Sequence, residues 1–336
     1  MIFNEYNLIM KILRIIVGIT LIASLLLTMF VGKNKILEDV EILEQKQYKG
    51  IITLWHVDGF EGGSGSRKQF LLKVARDFEK QNQGVLVMVI NHTFNSVKES
   101  IKNGQMPDLI SYSNGTEITG AIELDNERKV ASGIVGQKNY AAAWCRGGYV
   151  LIKNTNAKDN EQNTIIVSQA EYTQPLVALM LEGLEFDNIE AYEPMDAYVN
   201  FTANRTTYFL GTQRDVVRLN NRGMQVECQP LTAFNDLYQY ISLTGQDQDK
   251  NIYAKKFIDY LLSDNVQIQL NKICMLSPYL SVENQIESLN AMQKVTGFKS
   301  ISAFCHADEL KQIQTISLSA LKGNQEDINK IKNMLV

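Results

Sequence analysis

Residues 50–89, GIITLWHVDGFEGGSGSRKQFLLKVARDFEKQNQGVLVMV, decide the fold. They open with a short run, 51–55, whose two isoleucines and Thr53 are β-branched and suit a strand. A glycine-rich turn, FEGGSGSR, follows, and then Phe70, Leu71, Val74 and Phe78 recur at helical spacing. A second apolar run at 85–90, a helical stretch at 94–102 and a third short strand around 109–111 complete a β-α-β-α-β pattern. Strands alternating with helices imply a parallel sheet with helices on its faces. Such sheets bind ligands outside the carboxyl ends of their strands. The residues just after each strand therefore carry the interest: His56, Val57 and Asp58, then Asn91 and His92, then 112–115.

Downstream the style persists, with strand candidates at 149–152, 207–210 and 224–226 and helices near 174–182 and 213–220. A strand at 237–243 leads to helical patterns at 252–262 and 266–273, with Asp264 placed as a cap between them. From residue 282 onward the pattern is helical throughout. Upstream, residues 15–31 carry no charge and are flanked by Lys11, Arg14, Lys33 and Lys35. A spanning helix needs roughly 20 apolar residues, about 17 at the short end, whereas a signal-peptide core has about 7 to 15. Length favours a retained anchor, and its position ahead of a globular body predicts export of that body. The expected division is a cytoplasmic stretch 1–14, a transmembrane or signal segment 15–32, a polar linker 33–48 and an extracellular body 49–336.

Composition fits a soluble body behind an anchor: 21% of the residues are charged and the net charge is −4, without the basic patch that nucleic acid requires. Cys145, Cys228, Cys274 and Cys305 are scattered without a CxxC pair, so neither a zinc site nor a disulfide framework is indicated. None of them ends the apolar segment, which excludes a lipid-modified cysteine there. His56, His92 and His306 lack metal-ligand spacing, and there is no G-x-S-x-G elbow. Choosing Asp58 and Glu61 as a glycosidase pair is arbitrary in a chain with 37 acidic residues. Enzyme is thus the minority reading, and no cofactor is called for. The glycine cluster 62–65 leads into a helix but lacks the lysine of a Walker A loop, which leaves a turn capped by Ser64 or Ser66, or a ligand-facing loop able to receive an anion. Trp55 and Trp144 fall at predicted strand edges, as core residues or as platforms for the apolar face of a sugar ring.

Five phrases in order, the stretch 50–89, IKNGQMPDLISYSNG, YAAAWCRGGYVLI, YFLGTQRDVVRLNNR and AKKFIDYLLSDNVQIQLNKICMLSPY, resemble the extracellular solute-binding proteins of ABC importers, in their carbohydrate-binding branch. The resemblance implies an α/β, two-lobed, periplasmic-binding-protein-like type II fold that closes about a hinge around a solute and delivers it to a membrane permease. Residues 140–152 and 237–243 match the family's crossing strands, with lobe 1 at about 49–143 plus 251–290 and lobe 2 at about 148–240 plus the C-terminal helices. Ligand-binding positions carried over are Trp55, Asp58, Ser113, Asn114, Trp144, Arg146, Gln213 and Arg214. The chain departs from the family in the short stretch between 153 and 211, and in Arg146, which stands where a small or polar residue is common and opens the reading to a charged or acidic ligand. The expected function is a membrane-tethered receptor delivering a small molecule, a carbohydrate, to an ABC importer. The alternatives are a sensor of the same fold partnering a membrane kinase and, with least behind it, an extracellular glycoside hydrolase.

Overall fold

The computed structural model describes residues 16, 19–24, 26–28, 48–157 and 163–336. The chain separates into two units, Met1–Tyr48 and Lys49–Val336. In the first, the described residues 16, 19–24 and 26–28 are helical, and Ile16, Ile19, Leu21, Ile22, Leu26 and Leu27 are exposed. The rest of the expected span, with 1–14 and the linker as far as residue 47, lies outside the described residues. Among the described residues no helix is long and apolar enough to cross a membrane.

The second unit begins with β1 (Gly50–Val57), α1 (Arg67–Gln81), β2 (Val85–His92), α2 (Phe94–Lys102) and β3 (Leu109–Tyr112). A small hairpin, β4 (Ile134–Val135) with β5 (Lys138–Asn139), precedes β6 (Ala142–Arg146). Then come β7 (Tyr149–Asn154), β8 (Thr164–Ser168), α3 (Pro175–Glu182), β9 (Asn188–Tyr192), α4 (Pro194–Thr202), β10 (Tyr208–Thr212), α5 (Gln213–Asn221) and β11 (Val226–Pro230). The chain closes with β12 (Tyr238–Leu243), α6 (Gln248–Leu262), α7 (Asp264–Gln267), α8 (Glu287–Lys294), α9 (Ala307–Leu321) and α10 (Gln325–Asn333).

Two five-stranded sheets result. The first has the order β2-β1-β3-β12-β6, parallel from β2 to β3 and antiparallel across β12. Ile52 and Leu54 are wholly buried in β1, and Phe70, Leu71, Val74 and Phe78 form the buried stripe of α1. Phe78 meets Phe257 of α6 edge-on at 5.3 Å. The opposite face buries Trp55, Val57, Ile110, Tyr112 and Tyr240 around Val97 of α2. Sheets covered on both faces read as apolar runs rather than alternations, which is why β1 was visible in the sequence. The second sheet has the order β11-β7-β10-β8-β9, and its core joins Val150, Ile152, Ile166 and Phe209 to Phe201 of α4, Val216 of α5 and Met292 of α8.

Only Gly147 and Gly148 separate β6 of the first sheet from β7 of the second, so the chain crosses between the sheets there. It returns between β11 and β12, and the segment after residue 273 runs beside the first crossing, where Arg146 and Leu276 exchange backbone hydrogen bonds of 2.9 and 3.0 Å. Several expectations need correction. Residues 268–273 form a 3₁₀ helix, and β8, β9 and α4 were not anticipated. The tail is not helical throughout, because 295–306 is irregular and pairs elsewhere: Lys299 accepts from Asn235, Ser300 pairs with Val336, and the Ala303 N–H donates to Ser132. Those long-range backbone bonds override a helical sequence pattern that is only a weak prior.

Candidate functional site

At the carboxyl end of β1, His56 is buried and Asp58 is half-exposed, its side chain 45% accessible. His56 Nε2 lies 3.1 Å from Asp58 Oδ1, and Nδ1 lies 3.1 Å from the Ser111 hydroxyl on the neighbouring β3. Arg67, the first residue of α1, donates from Nε to Asp58 Oδ1 at 2.7 Å and from Nη2 to the Phe60 carbonyl, and its guanidinium lies over the Phe60 ring. Burial alone would raise the Asp58 carboxyl, but the hydrogen bond from His56 and the charge of Arg67 outweigh it and hold it at about 2. Burial pulls the His56 imidazole below its ordinary value, against the opposing pull of Asp58. The outcome is a carboxylate that stays ionised at the end of a central strand.

Ser111 also accepts from Trp144 Nε1 at 2.9 Å and Gln239 Nε2 at 3.1 Å. The order Ser111, His56, Asp58 has the connectivity of a hydrolytic triad, but the serine is wholly buried beneath its two donors and is not placed to attack a substrate. Among the described residues no cluster of three or more His, Cys, Asp or Glu is placed to hold a metal, and the four cysteines are free thiols.

Across from this strand end stands the amino end of α5. Thr212 and Asp215 form its capping box, which fixes Gln213 and Arg214 at the first turn. Gln213 donates to the Glu61 carbonyl at 3.1 Å and accepts from the Gly148 N–H at 3.1 Å. Arg214 donates to the carbonyls of Gly62 and Gly63, and Arg218 grips the Glu61 carboxylate. On the other flank the Phe94 ring meets Tyr172 edge-on at 4.7 Å, and Asn114 donates to the Ser302 carbonyl at 2.8 Å. The two sheet halves therefore touch through α5 on one side and through Phe94 and Tyr172 on the other. A cavity of about 430 Å³ opens elsewhere, beside Leu151, Lys153, Phe186 and Tyr208 of the second half.

The glycine-rich turn serves this contact rather than an anion. Its carbonyls face Arg214, the Ser64 N–H donates to Ile273 at 3.0 Å, and Ser66 caps α1 by accepting from Gln69. Of the positions expected to meet ligand, Asp58, Ser113, Asn114, Gln213 and Arg214 gather where the halves meet. Ser113 Oγ and Asn114 Oδ1 are buried without a hydrogen-bond partner, which is costly unless something else satisfies them. Trp55 is buried against His92, with ring centroids 4.4 Å apart. Trp144 is a core residue, wholly buried and stacked on Phe70 at 5.8 Å. Arg146 is buried and committed within the protein: Nη2 donates to the carbonyls of Met292, Gln293 and Val295, capping the C-terminal end of α8. The basis for expecting an acidic ligand is thereby removed. The sequence reading noted His56 by position but missed Arg67, Ser111 and Gln239; the strand-end rule could have flagged Ser111, and no local signal marked the other two.

No protein-family model matches the chain, and no curated protein matches it in sequence. Solved structures do. The maltose/maltodextrin-binding domain of Bdellovibrio bacteriovorus, bound to maltotriose, aligns with a TM-score of 0.53 and 14% identity over 83% of this chain and 96% of that one. The GacH receptor of Streptomyces glaucescens, solved unliganded and with acarbose, gives 0.53 and 12% over 82% and 94%. The maltose-maltodextrin binding protein of Alicyclobacillus acidocaldarius gives 0.54 and 11% over 85% and 100%. This chain has the fold of the solute-binding proteins of ABC importers. In that solute-binding fold the carboxyl ends of β1 and β3 and the amino end of α5 face one another across the junction of the two lobes.

Proposed function

We propose that this chain is a solute-binding protein that closes its lobes on a neutral, hydroxyl-bearing ligand, a carbohydrate, and delivers it to an ABC importer. The observation that carries the reading is Asp58: an ionised, half-exposed carboxylate at the end of β1, beside the unpaired Ser113 hydroxyl and Asn114 carbonyl oxygen. A fixed carboxylate accepts from hydroxyl donors, with a charge-assisted bond stronger than a neutral one. The sugar ligands of the structurally similar proteins from Bdellovibrio and Streptomyces support the same chemistry.

A tether at residues 15–31 belongs to this proposal, with the body on the extracellular side. Its support is the uncharged sequence and the exposed apolar side chains of Ile19, Leu21, Ile22, Leu26 and Leu27. Isothermal titration of the full chain against a panel of neutral sugars and oxyanions tests the binding role. Binding to at least one sugar, weakened about tenfold by Asp58→Asn, is expected, since a hydrogen bond to a charged group contributes about 1.5 kcal/mol or more. Binding to oxyanions alone, or to nothing, overturns it.

A further inference from the structure

The hydroxyl of Ser111 has three neighbours and a valence that allows one arrangement. Trp144 Nε1 can only donate, and it does so at 2.9 Å. The Gln239 amide places Nε2 2.9 Å from the Val57 carbonyl and 3.1 Å from Ser111 Oγ; because that carbonyl only accepts, the nitrogen must face it, and its second hydrogen points at the serine. Both lone pairs of Ser111 are thus taken. Its single proton is left for the third neighbour, His56 Nδ1, at 3.1 Å. His56 then accepts at Nδ1, carries its own proton on Nε2 and donates it to Asp58 Oδ1.

We propose that Ser111 is a positioning residue of the binding site: its filled valence denies His56 Nδ1 a proton, so His56 stays neutral and Asp58 is presented to ligand unchanged across the physiological pH range. An imidazolium would aim an Nδ1–H at a hydroxyl with no lone pair left to receive it, inside a core where His56 and Ser111 have no contact with water. The charged groups that face His56 are Asp58 on its own strand and Arg67 and Lys68 on α1. Its neighbours on β2, β3 and β6, namely Asn91, Ser111 and Trp144, are neutral. Two of the three groups that fill Ser111 come from β6 and β12, the strands that carry the chain to and from the second lobe, so the hinge strands hold the ligand-facing carboxylate through this serine.

The inference deepens the proposed binding role, and its test does not depend on that role. Histidine-selective ¹⁵N NMR of the full chain reads the tautomer and charge of His56; with three histidines in the sequence, variants at His92 and His306 assign its signals. In the wild type His56 is expected to be neutral, protonated on Nε2, from pH 5 to 8. Trp144→Phe returns a lone pair to Ser111 and is expected to let His56 take a second proton within that range; Ser111→Ala, which leaves Nδ1 nothing to donate to, and Ser111→Thr are both expected to keep His56 neutral. An imidazolium or an Nδ1–H tautomer in the wild type overturns the proposal, as does a His56 that stays neutral in Trp144→Phe. Should Ser111→Ala fail to fold, the wild type and Trp144→Phe decide. A wild-type spectrum as expected from a chain that binds no sugar overturns the transport reading and leaves this one standing.

Discussion

Arg218 donates from both terminal nitrogens to both carboxylate oxygens of Glu61, at 3.2 and 3.3 Å, joining α5 of the second lobe to the loop after β1 of the first. Both side chains are mostly shielded, 18% and 25% accessible, and Arg214 Nε adds a third contact at 3.3 Å. A bidentate fork of this kind fixes geometry as well as adding energy.

Glu61→Gln keeps the side-chain volume and removes the charge, so the lobes are expected to separate more readily. Partial shielding places the contribution at about 1 kcal/mol, near the top of the range for accessible pairs. Small-angle scattering of the full chain should show a larger radius of gyration for the variant. An unchanged radius would mean that the Glu61–Arg218 pair does not hold the lobes.

Arg146→Lys is expected to lower thermal stability by about 2 kcal/mol, because an ammonium on a shorter reach cannot satisfy the three carbonyls around the end of α8 that Nη2 serves. Burial already pulls the Arg146 guanidinium down to about 10, so the charge is retained at neutral pH and caps the negative end of the helix. Calorimetric melting checks this. A variant that loses ligand affinity but melts with the wild type would return Arg146 to the ligand.

Stability is expected to peak near pH 4. Asp236 is buried with no cation beside it among the described residues, accepting from the Tyr149 hydroxyl at 2.7 Å and the Gln174 N–H at 2.9 Å, and burial pushes it up to about 7. A carboxyl raised on folding contributes stability that is complete below its unfolded value near 3.8 and is lost as pH rises towards 7, amounting to a few kcal/mol. Asp58 works the other way, contributing about 1 kcal/mol after discounting for its exposure, present above pH 4 and lost as pH falls towards 2. Denaturant unfolding from pH 3 to 8 should show the fall above pH 4, and Asp236→Asn should flatten it.

Gly63→Ala is expected to cost about 2 kcal/mol, since a Cβ there would lie 2.0 Å from the Ile273 carbonyl oxygen and 2.4 Å from that of Cys274. Backbone atoms cannot rotate away as a side chain could. Chemical denaturation of the variant against the wild type measures it, and a variant of equal stability would show that the loop has room to move.

Much of the first lobe was legible in the sequence because each signal is local. β1, β2 and α1 are written in runs of neighbouring residues, which also places Asp58 just past the end of β1. β9 was not legible: NIEAY is a short edge strand without a buried run, and α4 starts two residues later at Pro194. Arg146 misled because a charge beside a glycine pair resembles a ligand contact until the end of α8, almost 150 residues later, is seen to lie against it.

By itself the sequence determined the alternation of strands and helices, the uncharged segment 15–31 and the position of Asp58, because periodicity and the hydrophobic demand of each element act between near neighbours. Only the tertiary structure decided which polar groups share Ser111: Trp144, His56 and Gln239 lie 33, 55 and 128 residues from it in the chain. A hydroxyl's three hydrogen bonds are filled by whatever the packed strands bring within about 3 Å, and no local pattern records that meeting.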